Sequence, residues 1–278
     1  MTQFDQAYIA LIQKIMDYGH LAYNERTGHT TRALPGLTLE LNVDREFPLL
    51  TLRKIPIQLF VSEMLWYILG NNRPDSFVNE FTSIWKNFTE EDGTVRAAYG
   101  HRWRKHFGRD QLGDLVAHLQ ENPGSRHGVI VTWDPADDGL GTGTHKKNVP
   151  CPYTFTVNIL GNQLHLHNVI RSNDMMLGCP HDVAGFALLQ CILAAKLNVE
   201  PGKLTTSISN AHIYDIHYEQ AKELINRKHH HPGTPFRALA DYFDRAREGD
   251  RQLVGEIVES LSQNYHPLER VKGLKIVL

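Results

Sequence analysis

Cys151 stands in the run Asn148-Val149-Pro150-Cys151-Pro152-Tyr153. The flanking prolines fix the local backbone and keep the thiol out of a helix. A thiol attacks as its thiolate, and nearby positive charge is what holds a thiolate at neutral pH. Arg171 is the best candidate for that charge. It opens residues 171–182, which read Arg-Ser-Asn-Asp-Met-Met-Leu-Gly-Cys-Pro-His-Asp. Arginine forks grip phosphate oxygens two at a time, and the Ser172 hydroxyl adds a donor. Asp182 reads as the N-cap of a following helix, which at the rim of a cleft can still present its carboxylate. Glu63 lies inside an apolar helical run, where an acid is costly unless it has a partner or work to do. A cysteine alone is more often a small buried hydrophobe. That reading stands for Cys191 on an apolar helix, while Cys179 sits beside Gly178 and Pro180 in an expected turn.

The elements that must position these groups follow from periodicity. Residues 1–18 read as an amphipathic helix, with Asp5 near its start and Tyr8, Ile9, Ile12, Ile15 and Met16 on one face. Residues 25–35 are polar and read as a loop; 37–43 alternate like a half-buried strand. Ile57–Leu69 is long and apolar enough for a buried helix, closed by residues 71–74. Residues 76–88 read as another helix, carrying Trp85. Gln111–Glu121 has helical spacing and stops at Asn122-Pro123-Gly124. Residues 129–133 are strand-like. Residues 137–147 are glycine-rich and polar, as a mobile surface loop would be. Residues 153–159 and 163–169 alternate around Leu160-Gly161-Asn162, a hairpin signal. Residues 183–197 form an almost wholly apolar helix, and 204–209 and 274–277 are further strand candidates. The pattern predicts one α+β domain over residues 1–278, with a mixed, largely antiparallel sheet packed on a central buried helix.

Composition narrows the class. The 278 residues are 41% hydrophobic and 22% charged, as in a soluble globular chain. A formal net charge of −2 gives no basic field for nucleic acid. The N-terminal stretch lacks a signal peptide's basic start and unbroken apolar core, and no run approaches a membrane span of roughly 20 residues. Three cysteines without CxxC spacing read as reduced cytosolic thiols, so a cytoplasmic location is expected. The run His229-His230-His231 adjoins Pro232-Gly233, has no Cys or carboxylate at ligand spacing and reads as an exposed loop, so no metal is expected.

Across nearly its whole length the chain resembles the thymidylate synthase family. The resemblance is carried in order by Glu25-Arg26-Thr27-Gly28, Phe47-Pro48-Leu49-Leu50-Thr51, Glu63-Met64-Leu65-Trp66, Ile84-Trp85 and Tyr99-Gly100-His101-Arg102-Trp103-Arg104. It continues through Ser125-Arg126-His127, Trp133-Asp134-Pro135, Pro150-Cys151, residues 171–180 and Ala211-His212-Ile213-Tyr214. The resemblance implies a homodimer with shared active sites and 5,10-methylenetetrahydrofolate as cosubstrate. It makes Cys151 the nucleophile toward C6 of a pyrimidine, with Glu63, Tyr99 and Asp182 as further catalytic groups. Arg26, Arg171 and Ser172 would bind the 5′-phosphate, joined by Arg126 and His127 of the other subunit. His212 and Tyr214 would bind the sugar hydroxyl. Trp85, Asp174, Leu177 and Gly178 would hold the folate.

The departures carry the specificity. Asp182 stands where the synthases have asparagine. Uracil presents an O4 acceptor and an N3–H donor, which an amide matches; cytosine presents an N4 amino donor, which a carboxylate accepts. A site built on a specific hydrogen bond rejects the wrong partner strongly. Asp182 thus resembles the deoxycytidylate hydroxymethylase branch. Pro152, Ile170, His127, His181 and the Ser209-Asn210-Ala211 run also depart from the synthase pattern. The expected reaction is one-carbon transfer to C5 of a cytosine nucleotide, dCMP first, giving the 5-hydroxymethyl product. The alternatives are cytosine 5-methylation, plain dUMP methylation, and a nucleotide-binding regulatory protein without turnover.

Overall fold

A computed structural model of the chain describes residues 1–140 and 149–277. Its centre is one sheet of seven strands: β1 (His20–Asn24), β2 (His29–Asn42), β3 (Val129–Val131), β4 (Pro152–Leu160), β5 (Gln163–Ile170), β6 (Asn173–Asp174) and β7 (Glu200–Tyr214). The order is β1-β2-β7-β5-β4-β3, with β6 added beside β7. β5 and β6 run parallel to β7 and the other pairs are antiparallel. The mixed, largely antiparallel sheet expected from sequence is present.

Alternation explains the core. Leu37, Leu39 and Leu41 on β2, Phe155 and Val157 on β4, and Leu204 and Ile208 on β7 all point to the buried face. Helix α5 (Gly178–Lys196) lies on that face and packs against β5, β7 and α2 (Ile57–Leu69). Its 19 residues are long and apolar enough for a membrane span by length and composition, but they are mostly buried here as the core helix. α1 (Gln3–Tyr18) opens with a Thr2–Asp5 capping box and packs on β2. α2 ends at Gly70, whose φ of 76° lets its N–H reach back to the carbonyls of Trp66 and Tyr67. α3 (Tyr99–His101) runs into a π-helical turn, Arg102–His106, and α4 (Gln111–Glu121) follows. α6 (Tyr218–Asn226), α7 (Tyr242–Glu248) and α8 (Gln252–Ser262) complete the set.

Several sequence expectations are corrected. The 25–35 segment is a loop only to Gly28, because β2 begins at His29 and carries Pro35 within it. β1 covers β2 only to Ala33, so Pro35 sits where the strand has an open edge and needs no ladder donor there. Residues 76–88 are not one helix but short 3₁₀ turns, Pro74–Ser76, Val78–Glu80 and Ile84–Phe88. Residues 274–277 form no strand. The β4–β5 hairpin is as expected, with Gly161 and Asn162 at φ of 56° and 63°, a two-residue primed turn. The expected mobile loop at 137–147 lies mostly outside the described residues. Its first part is pinned, because buried Asp138 sits 3.2 Å from the fully buried Arg102 guanidinium. His231 is also buried rather than exposed, with Nδ1 3.0 Å from the Gly233 N and Nε2 3.2 Å from the His266 N, one of which its neutral ring can accept from.

Candidate active site

Between α2, α5 and the ends of β4 and β7 lies a cavity of about 850 Å³. Cys151 enters it from the start of β4. Its carbonyl accepts from the Arg171 N–H at 2.9 Å, which locks the thiol segment opposite the end of β5. The Arg171 side chain reinforces this by donating Nε to the Pro150 carbonyl at 2.7 Å and Nη2 to Val149 at 3.1 Å. The guanidinium lies 5.9 Å over the Trp133 ring. Trp133 is held in turn, since Trp103 Nε1 donates to Thr132 Oγ1 at 2.8 Å and Arg102 pairs with Asp134 at 3.3 Å. Arg171 therefore shapes the nucleophile's backbone, and its Nη1 makes no hydrogen bond among the described residues.

Burial raises the Cys151 thiol above its ordinary value, Arg171 opposes the rise, Asp182 adds to it and Arg26 opposes it. Arg171 acts as expected from sequence, though it does not fully offset burial. The Tyr99 hydroxyl meets the Cys151 backbone, and burial raises it well above the usual phenol range. A Cβ on Gly100 would come 2.0 Å from the Tyr67 carbonyl, so only glycine lets α3 approach α2 closely enough to bring Tyr99 here.

Two carboxyls, Glu63 and Asp182, line the same cavity. Trp85 Nε1 donates to Glu63 Oε1 at 2.8 Å. Burial pushes Glu63 up to about 8, the Trp85 bond opposes the rise and the Asp182 charge adds to it. Asp182 Oδ2 accepts from Asn173 Nδ2 at 2.8 Å. Burial pushes Asp182 up to about 7, the Asn173 bond opposes and Asp174 adds. Two carboxyls raised this far in one cavity can hold and move protons near neutral pH. Asp182 is not the N-cap expected from sequence. α5 starts a turn earlier, at Gly178, and Pro180 fits its first turn because that position needs no intrahelical donor.

The remaining expected residues divide cleanly. Arg26, Ser172, His212 and Tyr214 line the same cavity. His212 is neutral-leaning, because burial lowers it while Asp174 and the Asn210 backbone oppose. Trp85, Leu177 and Gly178 form an apolar wall with Leu59, Ile84 and Phe88. Trp85 meets Trp66, Tyr67 and Phe88 edge to face, so its ring is held rigidly. Asp174 Oδ1 accepts from the N–H groups of Met176 and Leu177 at 2.8 and 3.3 Å, while Oδ2 makes no such bond among the described residues. A flat heterocycle with N–H groups fits this wall and this carboxylate. Arg126 and His127 are exposed on the turn after α4 and do not line the cavity.

Sequence reading missed Tyr67 and Asn173 as site groups, and it noted His181 and Asn210 only as departures. Asn210 Oδ1 lies 3.1 Å from His212 Nδ1 and accepts from it when that nitrogen carries the proton. Burial lowers His181 to about 3, so its imidazole is neutral. Ile276 and Val277 also line the cavity, which is the work of the segment misread as a strand. No sequence period announces such residues, because they converge only when α2, α5 and β7 pack.

A cavity with a proline-framed thiol, a guanidinium, paired carboxyls and an aromatic wall suits nucleophilic addition to a phosphorylated heterocycle. The thymidylate synthase family model matches residues 6–252, so this chain belongs to the thymidylate synthase family, whose chemistry is folate-dependent one-carbon transfer to a nucleotide.

Proposed function

We propose that this enzyme uses 5,10-methylenetetrahydrofolate to hydroxymethylate C5 of a cytosine nucleotide, dCMP, through a Cys151–C6 adduct. One observation carries the reading: the Asp182 carboxyl, raised to about 7, lines the same cavity as Cys151. A neutral carboxyl donates O–H to cytosine N3 and accepts from the N4 amino group. Once ionised, the same carboxyl still accepts from cytosine N4–H but sets acceptor against acceptor at uracil O4.

The steps follow from these residues. Arg26, Arg171 and Ser172 bind the phosphate and His212 and Tyr214 the sugar hydroxyl. The Cys151 thiolate forms the S–C6 bond. The ring electrons shift through C5 and C4 to N3, which takes the proton from Asp182. C5 is then a carbon nucleophile. Bound folate, held by Trp85, Asp174, Leu177 and Gly178, supplies the one-carbon unit. Glu63, protonated below about 8, can relay the C5 proton and order water. With the C5 proton passed to the departing tetrahydrofolate, water adds to the new exocyclic carbon and loses its proton through that relay, and the thiolate departs from C6 as N3 returns its proton to Asp182. Glu63, His181 and Asp182 give the cavity a polar side that retains water where a dry wall would favour methyl transfer.

Because the cytosine complex needs one proton shared between Asp182 and N3, kcat/KM falls as pH rises past about 7, where Asp182 ionises. Turnover of dCMP in ¹⁸O-enriched water tests the product assignment. The reading requires the isotope in a hydroxymethyl product; an unlabelled methyl product would replace it with cytosine methylation.

The exposed Arg126 belongs, on this reading, to the phosphate site of a second copy, making the working unit a homodimer. A mixture of inactive Cys151→Ser and inactive Arg126→Ala chains then regains activity, since one of the two sites in a hybrid dimer is intact. Random mixing gives up to roughly a quarter of wild-type activity. Demonstrated subunit exchange with no recovery would sink the shared site.

A further inference from the structure

Asn173 lies on β6, paired with Ala211 of β7, and is 3% exposed. Its amide sits beneath the base-reading carboxyl. Nδ2 donates to Asp182 Oδ2 at 2.8 Å, while Oδ1 is buried with no partner among the described residues. The amide is therefore committed to Asp182 and leaves its own carbonyl unsatisfied to keep that bond. Gly178 leaves the room for it: a Cβ there would stand 3.3 Å from Asn173 Oδ1 and 3.7 Å from Asp182 Oδ2.

The groups around Asp182 make this N–H matter. Asp174 faces it from β6, Glu63 and Tyr67 from α2, Tyr99 from α3, Cys151 from the start of β4 and Cys179 from its own helix. Asp174 is the charge among them that opposes a negative charge on Asp182, whereas Glu63, Tyr67, Tyr99, Cys151 and Cys179 are themselves raised by the Asp182 charge and are neutral where it ionises. The Asn173 N–H is the hydrogen bond that favours that charge.

We propose that Asn173 is a specificity-determining positioning residue: its amide fixes the Asp182 carboxyl and stabilises the carboxylate left when the proton passes to cytosine N3. The inference rests on the cytosine reading above. In the step it serves, the S–C6 bond forms, the ring electrons reach N3, and the Asp182 O–H bond breaks to give N3–H and a carboxylate. That carboxylate then accepts from N3–H and N4–H on the base side and from Asn173 behind. Uracil carries its N3 proton from the start and makes no such demand, so Asn173 acts on one base and not the other.

The test compares wild type, Asn173→Ala and Asn173→Ser with dCMP and with dUMP across pH. A charge-assisted bond of this kind corresponds to about tenfold in rate, and to about one pH unit in the group it holds. Asn173→Ala is expected to lower kcat for dCMP about tenfold with KM little changed, to spare dUMP turnover, and to move the descending pH limb upward by about one unit. Asn173→Ser keeps a small donor and is expected to fall between the two; it also serves if the alanine variant does not fold. In an Asp182→Asn background the limb is gone, and Asn173→Ala has no limb to move. A folded Asn173 variant with an unmoved limb and an unchanged dCMP-to-dUMP ratio overturns the inference while leaving the cytosine reading intact. A wild type that prefers dUMP overturns the cytosine reading, and the limb shift still decides whether Asn173 governs Asp182.

Discussion

Cys151→Ser loses turnover by roughly 10⁴-fold or more while nucleotide binding changes little. The physical ground is the separation of tasks in the cavity. On the proposed reading, phosphate and sugar contacts come from Arg26, Arg171, Ser172, His212 and Tyr214, which line the cavity and need no sulfur for that task. A serine hydroxyl is a far weaker nucleophile, and no positioned base is bonded to it. The same substitution stops exchange of the substrate's C5 hydrogen with solvent, because that exchange requires the C6 adduct. Arg171 holds the 149–151 backbone through carbonyls, not through the thiol, so the variant keeps the local fold. Unimpaired exchange in Cys151→Ser would remove the thiol from the mechanism.

Asp182→Asn exchanges a group that can surrender a proton to N3 for one that cannot. Turnover of dCMP is expected to fall, and turnover of dUMP to rise, because an amide donates to O4 and accepts from N3–H. A mismatched buried hydrogen bond costs about 1–3 kcal/mol, so the dCMP-to-dUMP ratio of kcat/KM shifts by at least about tenfold. The pH limb near about 7 disappears with the carboxyl. Fold is retained because Leu177, not residue 182, occupies the N-cap of α5, and an amide in the second turn costs a helix little. Relative kcat/KM for the two nucleotides, measured on both proteins, checks this.

The sequence made the site legible wherever chemistry is local. Pro150 and Pro152 announced an ordered, non-helical Cys151, and Glu63 stood out as an acid in an apolar helix. Both lie in the cavity. Ile57–Leu69 and Gln111–Glu121 emerged with the bounds they have, because their periodicity and stop signals agree. Errors arose where one local signal has two structural meanings. Gly178-Cys179-Pro180 reads as a turn but also suits the first turn of a helix, and that choice moved Asp182 from a cap into the second turn. Ser, Thr and Asn between 76 and 88 compete for backbone groups, so an apolar period there becomes 3₁₀ turns around Trp85. Asn173 was silent for a different reason. Its importance lies in a 2.8 Å bond to a residue nine positions away, made possible by packing of β6 beneath α5.

The central claim is that the enzyme reads cytosine through Asp182. It is tested most directly by one competition: dCMP, CMP and dUMP together with 5,10-methylenetetrahydrofolate, and the masses of all products. The account predicts 5-hydroxymethyl-dCMP as the dominant product, with little thymidylate. Thymidylate as the main product would contradict it and return the enzyme to plain dUMP methylation.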